Sequence, residues 1–246
     1  MDKVFVIGDI HGNFDLLTQL LEKWNPEEEK LLFLGDYVDR GPQSLQVLEK
    51  VKTLVENGAI ALMGNHEQLF LHWLNFPNLD SYTFVSVGGA STIQSFQKIE
   101  WGECSVEQIA TLIKEEYASL LNWIKTLPLY TKWEHYFFVH AGIDPNVEQA
   151  IETNPEDFLW IRDDFLRIPH KAKETVVFGH TPTQKLNAEG TGNVWFSPCS
   201  KKIGIDGGVV LENGQLNGVV FTKGSNEIII HAVNKQGIST TVHPLK

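Results

Sequence analysis

Short apolar runs alternate with amphipathic stretches along the first third of the chain. Positions 4–7, 31–34 and 59–63 are continuous apolar runs of strand length, whereas 13–24 and 42–57 repeat apolar residues at helical spacing. In the first of these helical stretches the repeat is Leu16, Leu17, Leu20 and Leu21; in the second it is Leu45, Leu48, Val51, Leu54 and Val55. The order strand, helix, strand, helix, strand predicts βαβ units with a parallel sheet. Pro42 suits the first turn of the second helix, and Asn57-Gly58 ends it.

From about 68 to 132 this rhythm breaks. Helices are expected at 67–73 and 106–124, around a Gly/Ser/Thr-containing stretch at 85–95, so 75–132 reads as a helical cap inserted in a single domain spanning 1–246. Its aromatic residues, Trp73, Tyr82, Phe84, Trp101, Tyr117 and Trp123, read as a small core. Strands resume at 136–139 and 175–178, separated by a connection holding Pro145, Pro155 and Pro169. The short apolar runs of 193–242, parted by Gly and Asn, predict an antiparallel sheet.

Composition narrows the function classes. With 42% hydrophobic and 21% charged residues the 246-residue chain has ordinary globular usage. A formal net charge of −11 excludes a general nucleic-acid or anionic-membrane surface, each of which needs a basic footprint. An anionic substrate then requires a local positive site, which bound cations supply. Cys104 and Cys199 lie far apart without CxxC spacing, so neither a disulfide framework nor a zinc ribbon is signalled. Charge at Asp9 interrupts the first apolar run too early for a signal peptide, and no run reaches transmembrane length, so a cytoplasmic location is expected.

Candidate chemistry gathers after the strands. Gly8-Asp9-Ile10-His11-Gly12 follows the first, Gly35-Asp36-Tyr37-Val38-Asp39-Arg40-Gly41 the second and Gly64-Asn65-His66-Glu67 the third; later strands end in His140-Ala141-Gly142 and Gly179-His180-Thr181. The carboxyl ends of strands form the ligand crevice of open α/β sheets, so the five loops are expected to converge. Asp, His and Asn supply oxygen and imidazole donors for hard or borderline cations. A carboxylate is suited to bridging two dications, one oxygen to each. Singly these motifs are short, and a lone Gly-Asp or Asn-His is ordinarily a turn; all five in order at strand ends form a framework.

GDIHG, GDYVDRG, GNHE, HAG and GHT together resemble the PPP superfamily of metallophosphatases, over residues 3 to about 210. The resemblance implies an α/β fold, a metallophosphatase αβ sandwich of two sheets flanked by helices. It implies two divalent metal ions, Mn²⁺ with Fe or Zn²⁺ as alternatives. Carried over by motif, Asp9 and His11 bind the first metal, Asp36 bridges, and Asn65, His140 and His180 complete the second. His66 is implied as the acid that protonates the leaving group, with Asp39 orienting it; the bland reading of Asp39 is a salt bridge to Arg40. Arg40 and Arg162 look like the phosphate clamp, with Asn65 also at the substrate, and Arg167 is the competitor for the role of Arg162. Glu67 reads as a helix-start or supporting carboxylate, and Tyr37 as a weak substrate candidate. His72, His135, His170, His231 and His243 read as surface or packing residues.

The function expected is hydrolysis of phosphomonoesters by direct attack of a metal-bound hydroxide, with no phosphoenzyme. The partner is then phosphoserine or phosphothreonine in proteins, or a small phosphoester. The alternative is symmetrical cleavage of diadenosine tetraphosphate. Hydrolases of that kind characteristically depart at the Asp39 position and carry Asp after GNH, and on those two features the chain sides with the phosphatases. A silent metal-binding regulator ranks below both, because every ligand and the acid are present.

Overall fold

The computed structural model describes residues 1–96 and 104–245; Trp101 and positions 97–103 of the expected cap lie outside them. The opening apolar runs form β1 (Lys3–Ile7), β2 (Glu29–Phe33) and β3 (Ile60–Ala61), joined by α1 (Phe14–Leu21) and α2 (Ser44–Glu56). These strands pair in parallel, Lys3 opposite Glu29 and Leu32 opposite Ile60. Two boundaries differ from expectation. Pro42 lies before the helix, whose N-cap is Gln43. The third strand is shorter than its apolar run, because the Met63 N–H turns away to the Pro128 carbonyl.

Five helices follow: α3 (Asn65–Asn75), α4 (Pro77–Ser86), α5 (Gly89–Phe96), α6 (Val106–Glu116) and α7 (Ala118–Ile124). The Gly/Ser/Thr-containing stretch at 85–95 is therefore largely helical, with Gly88 (φ +106°) dividing α4 from α5. The single helix expected over 106–124 breaks at Tyr117, which leaves helical geometry at φ −110°, ψ 25°. Phe70, Trp73, Phe84, Ile93, Phe96, Ile109 and Ile113 are buried in the same cluster as Phe5 and Phe33 of the first sheet. The helical segment thus shares that sheet's core.

The second sheet comprises β4 (Tyr130–Trp133), β5 (Tyr136–Val139), β6 (Thr175–Phe178), β7 (Trp195–Phe196) and β8 (Lys202–Gly204), in the order β4-β5-β6-β8-β7. The chain then returns to the first sheet as β9 (Leu216–Thr222), β10 (Glu227–Asn234) and β11 (Gly237–Pro244), giving β11-β10-β9-β1-β2-β3. The antiparallel expectation for 193–242 holds for β9 to β11 and for β7 against β8, but β8 runs parallel to β6. Strand alternation explains the layers. Val4, Val6 and Leu32 meet Tyr136, Phe138, Val177 and Ile203 between the sheets. Phe5, Ile7, Leu31 and Phe33 face helices instead, with Leu17, Val47 and Val51. On the far side Phe137, Val139, Val176 and Phe178 pack with Phe158 and Phe165. This is the αβ sandwich of two mixed sheets flanked by helices. No helix among the described residues is long and apolar enough to cross a membrane.

The proline-containing connection between β5 and β6 holds two short helices, α8 (Pro155–Trp160) and α9 (Asp163–Arg167), with Arg162 at the N-cap of α9. Lys202 is 2% exposed and donates from Nζ to the carbonyls of Phe165, Leu166 and Ile168, so a strand lysine caps the end of α9. Lys202→Met keeps the stem and leaves these carbonyls short of a donor. It should lower unfolding free energy by about 1–3 kcal/mol, read from a denaturant midpoint. An unchanged midpoint would show that water serves these carbonyls equally well.

Candidate metal centre

The strand-end loops are locked to one another through the backbone. The Asp36 carbonyl accepts the N–H groups of Ile10 (3.0 Å) and His11 (2.9 Å), and Gly12 N–H reaches the Tyr37 carbonyl at 2.8 Å. The buried Glu67 carboxylate accepts from the N–H groups of Asp36 (2.9 Å), Tyr37 (2.8 Å), Val38 (3.2 Å) and Gly64 (3.0 Å). His11, Asp36, Asp39, Arg40 and His180 all have positive φ, between 45° and 70°. Such backbone costs about 1–3 kcal/mol per residue and persists where its surroundings over-determine it. Glycine is required where the loops touch: a Cβ on Gly35 (φ +105°) would stand 2.7 Å from the Gly64 Cα.

Two donor clusters share Asp36: His11, Asp36 and His66 on one side, and Asp36, His140 and His180 on the other, with donor atoms within 4.8 Å of one another in each. Asp36 Oδ2 lies 3.5 Å from His11 Nε2, and Oδ1 lies 3.4 Å from His140 Nε2. His11 Nδ1 donates to the Val38 carbonyl (2.8 Å) and His140 Nδ1 to the Leu34 carbonyl (2.9 Å), which leaves each Nε2 as a lone pair facing inward. His140 Nε2 and His180 Nδ1 each stand 2.9 Å from Asn65 Oδ1, and His180 Nε2 is buried without a hydrogen-bond partner. Inward lone pairs gathered around an acceptor oxygen are a set that a cation collects, so these residues fit divalent ions. Asp9 stands one step off these clusters, its carboxylate accepting the His180 N–H at 3.0 and 3.1 Å.

The electrostatics agree with that fit. Burial holds His11, His140 and His180 below the ordinary histidine pKa, so they are neutral and ligand-ready near pH 7. Burial works to raise Asp36, but His140, His66, His11 and His180 outweigh it and hold the carboxyl below its usual range. Asp9 is pushed well up, first by burial and then by Asp206 and Asp36. Bound cations reverse such carboxylate repulsion.

His66 Nδ1 donates to Asp39 Oδ2 at 2.6 Å, so Asp39 pairs with the histidine and not with Arg40. Burial would lower the His66 pKa; Asp36 and Asp39 raise it further and set the net direction. Arg40 donates to His11 Nε2 (2.7 Å) and His66 Nε2 (2.9 Å). Across the centre, Arg162 donates to the His180 carbonyl (3.0 Å) and Thr181 Oγ1 (2.9 Å). Arg167 faces solvent and pairs with Asp163 at 3.4 Å. Tyr37 is fully buried, its hydroxyl on the Leu62 carbonyl, which removes it as a substrate contact.

Three residues at the site escaped the sequence reading. Thr92 of α5 donates to Asp39 Oδ1 at 2.6 Å, and both Thr92 and Ser44 accept the Asp39 N–H. Nothing in a Ser/Thr-rich stretch marks a residue that acts 53 positions away. Asp206, buried just beyond β8, accepts the Gly208 N–H, and burial pushes its carboxyl up to about 6. Its signal was present: Gly204-Ile205-Asp206-Gly207 is one more strand end carrying a carboxylate beside glycine.

A family model for calcineurin-like phosphoesterases matches residues 2–221, and the chain belongs to that family. This agrees with the resemblance to PPP metallophosphatases and implies a dinuclear divalent metal site. Among individual proteins, the chain is 32% identical over 171 residues to a symmetrical bis(5'-nucleosyl)-tetraphosphatase of Stutzerimonas stutzeri, covering 67% of this chain and 54% of that protein. It is 28% identical over 211 residues to the asymmetrical bis(5'-nucleosyl)-tetraphosphatase PrpE of a Geobacillus species, covering 74% and 80%. The chain spans about half the length of the symmetrical relative. A solved structure provisionally named a diadenosine tetraphosphatase superposes with a TM-score of 0.64 at 19% identity, over 99% of this chain and 93% of that one, a likeness of fold.

These relatives overturn the expectation of a serine/threonine protein phosphatase: both are named for dinucleoside tetraphosphates. Asp39 and Glu67 carried that expectation. In the structure Asp39 is engaged by His66 and Thr92, and Glu67 by four backbone N–H groups, so both report on scaffolding and leave substrate choice open.

If the clusters hold metal, Mn²⁺ at about 100 times its Kd should stabilise the fold by about 2.7 kcal/mol, seen as a rise in Tm over metal-free protein. Asp36→Asn should lose most of that rise. An equal rise in the variant would place the metal elsewhere.

Proposed function

We propose that the protein hydrolyses dinucleoside tetraphosphates symmetrically, releasing two nucleoside diphosphates. The observation that carries this reading is the arrangement of Arg40 and Arg162 on opposite sides of Asp36, Arg40 on His11 and His66, Arg162 on His180 and Thr181. A tetraphosphate runs across the centre, and two planar guanidinium forks flanking it suit a chain of phosphates with the central linkage between them. The same pair suits the single phosphoryl group of a monoester, and the names of the relatives favour the longer phosphate chain.

Asp9, His11, Asp36, Asn65, His140 and His180 are the residues that would hold two divalent ions, which supply Lewis acidity and an activated water. Water adds to one inner phosphorus, the central P–O bond breaks, and the bridging oxygen departs with the second nucleoside diphosphate. His66 delivers the proton to that oxygen. Asp39 fixes the ring through Nδ1 and supports its charged form, while Thr92 and Ser44 fix Asp39. When Arg40 moves from His66 Nε2 onto a phosphoryl oxygen, that nitrogen is freed to carry the proton. Asn65 holds its carboxamide between His140 and His180, within reach of the same phosphoryl group.

The direct test is a substrate panel under Mn²⁺ with product analysis. Diadenosine tetraphosphate should be turned over in preference to phosphoserine, phosphothreonine and phosphotyrosine peptides, with ADP as its product. Equimolar ATP and AMP would mean asymmetrical cleavage, and dominant phosphopeptide turnover would reject the substrate class. The acid has a separate test that is independent of the natural substrate. His66→Asn should slow phenyl phosphate, whose leaving group is basic, by about 10²–10⁴-fold, and p-nitrophenyl phosphate far less. Equal slowing with metal content unchanged would assign His66 another role.

A further inference from the structure

A groove of about 430 Å³ opens beside the metal centre, between the loop around Arg40 and Pro42, the loop carrying Val210, Leu211 and Glu212, and the β10–β11 turn at Lys235. Its volume lies within the range of about 300–1,000 Å³ that small-molecule sites occupy. Arg40 lines it, and the Arg40 guanidinium also reaches His11 and His66, so one side chain links the groove to the metal-ligand cluster. Beyond Arg40 the character changes. Pro42, Val210 and Leu211 line it as well, the last two 37% and 44% exposed. Exposed apolar side chains beside a strongly polar centre lose solvent contact when a flat ring covers them. Besides Arg40, the charged residues lining the groove are one of each sign, Glu212 and Lys235. A further run of phosphates would call for cations alone, whereas a ribose and a base present neutral donors and acceptors that both signs satisfy.

We propose that this groove is a nucleoside subsite: it holds one nucleoside of the dinucleotide, its phosphates at Arg40, its base against Leu211, with Lys235 and Glu212 beside it. The proposal rests on the function proposed above and names where that substrate's specificity resides. None of Leu211, Glu212 and Lys235 takes part in the metal centre or in proton transfer.

Isothermal titration of ADP and of inorganic phosphate into the Mn²⁺-loaded protein tests the subsite without requiring turnover. ADP should bind at least about tenfold more tightly than phosphate, a difference of about 1.4 kcal/mol. Leu211→Asp and Lys235→Glu should each remove that advantage while leaving phosphate affinity and p-nitrophenyl phosphate turnover unchanged. Lys125→Glu, which alters net charge equally on a distant helix end, should preserve it. ADP binding no tighter than phosphate, or parental ADP affinity in both groove variants, would overturn the proposal. A protein that binds ADP in the groove yet fails to cleave diadenosine tetraphosphate would lose the proposed reaction and keep the subsite.

Discussion

The buried carboxylate of Glu67 fixes the metal centre in place. Burial and then Asp36 push the Glu67 carboxyl up to about 8, and four backbone N–H groups from two different loops fill its hydrogen-bonding capacity. In doing so it holds Asp36 at a positive φ and ties the β2 loop to the start of α3. Asp36 passes the constraint on, because its carbonyl anchors Ile10 and His11 of the first loop and its Oδ1 accepts the His66 N–H. Three loops are positioned from one anchor, and the left-handed residues among them are held against their own preference.

The second organising fact is electrostatic. A chain of net charge −11 that handles phosphate must concentrate positive charge locally, and it buries Asp9, Asp36 and Asp206 together to do so. These carboxylates and the neutral imidazoles of His11, His140 and His180 favour a cation over an empty site. The two arginines border this set, Arg40 on His11 and His66 and Arg162 on the His180 carbonyl and Thr181. Apolar layers on both faces of the sandwich keep the donor groups out of water, which strengthens each interaction among them.

Much of this was legible in the sequence, for a local reason. Tight turns at strand ends need glycine, and cation ligands need Asp, His and Asn, so Gly8-Asp9-Ile10-His11-Gly12 and its counterparts record both requirements within a few residues. The parallel strands were equally readable, because β1 and β2 are apolar on both faces. What failed was non-local or weakly patterned. Helix α4 buries only Phe84 and turns Leu79 and Tyr82 outward, so it has no apolar face to detect. The parallel pairing of β8 with β6 within the second sheet leaves no mark on three residues. Thr92 reaches Asp39 from another element, and substrate choice was read from Asp39 and Glu67, whose side chains are engaged within the fold. The groove beside Arg40 is assembled from three separate segments and has no motif.

The proposed bridging of two metal ions by Asp36 is tested most directly by anomalous diffraction from crystals grown with Mn²⁺. Two peaks about 3.5–4 Å apart are expected, one between Asp36 and His11 and the other among Asp36, Asn65, His140 and His180, each bound by a different oxygen of Asp36. A single peak, or two peaks with Asp36 bound to neither, would contradict it.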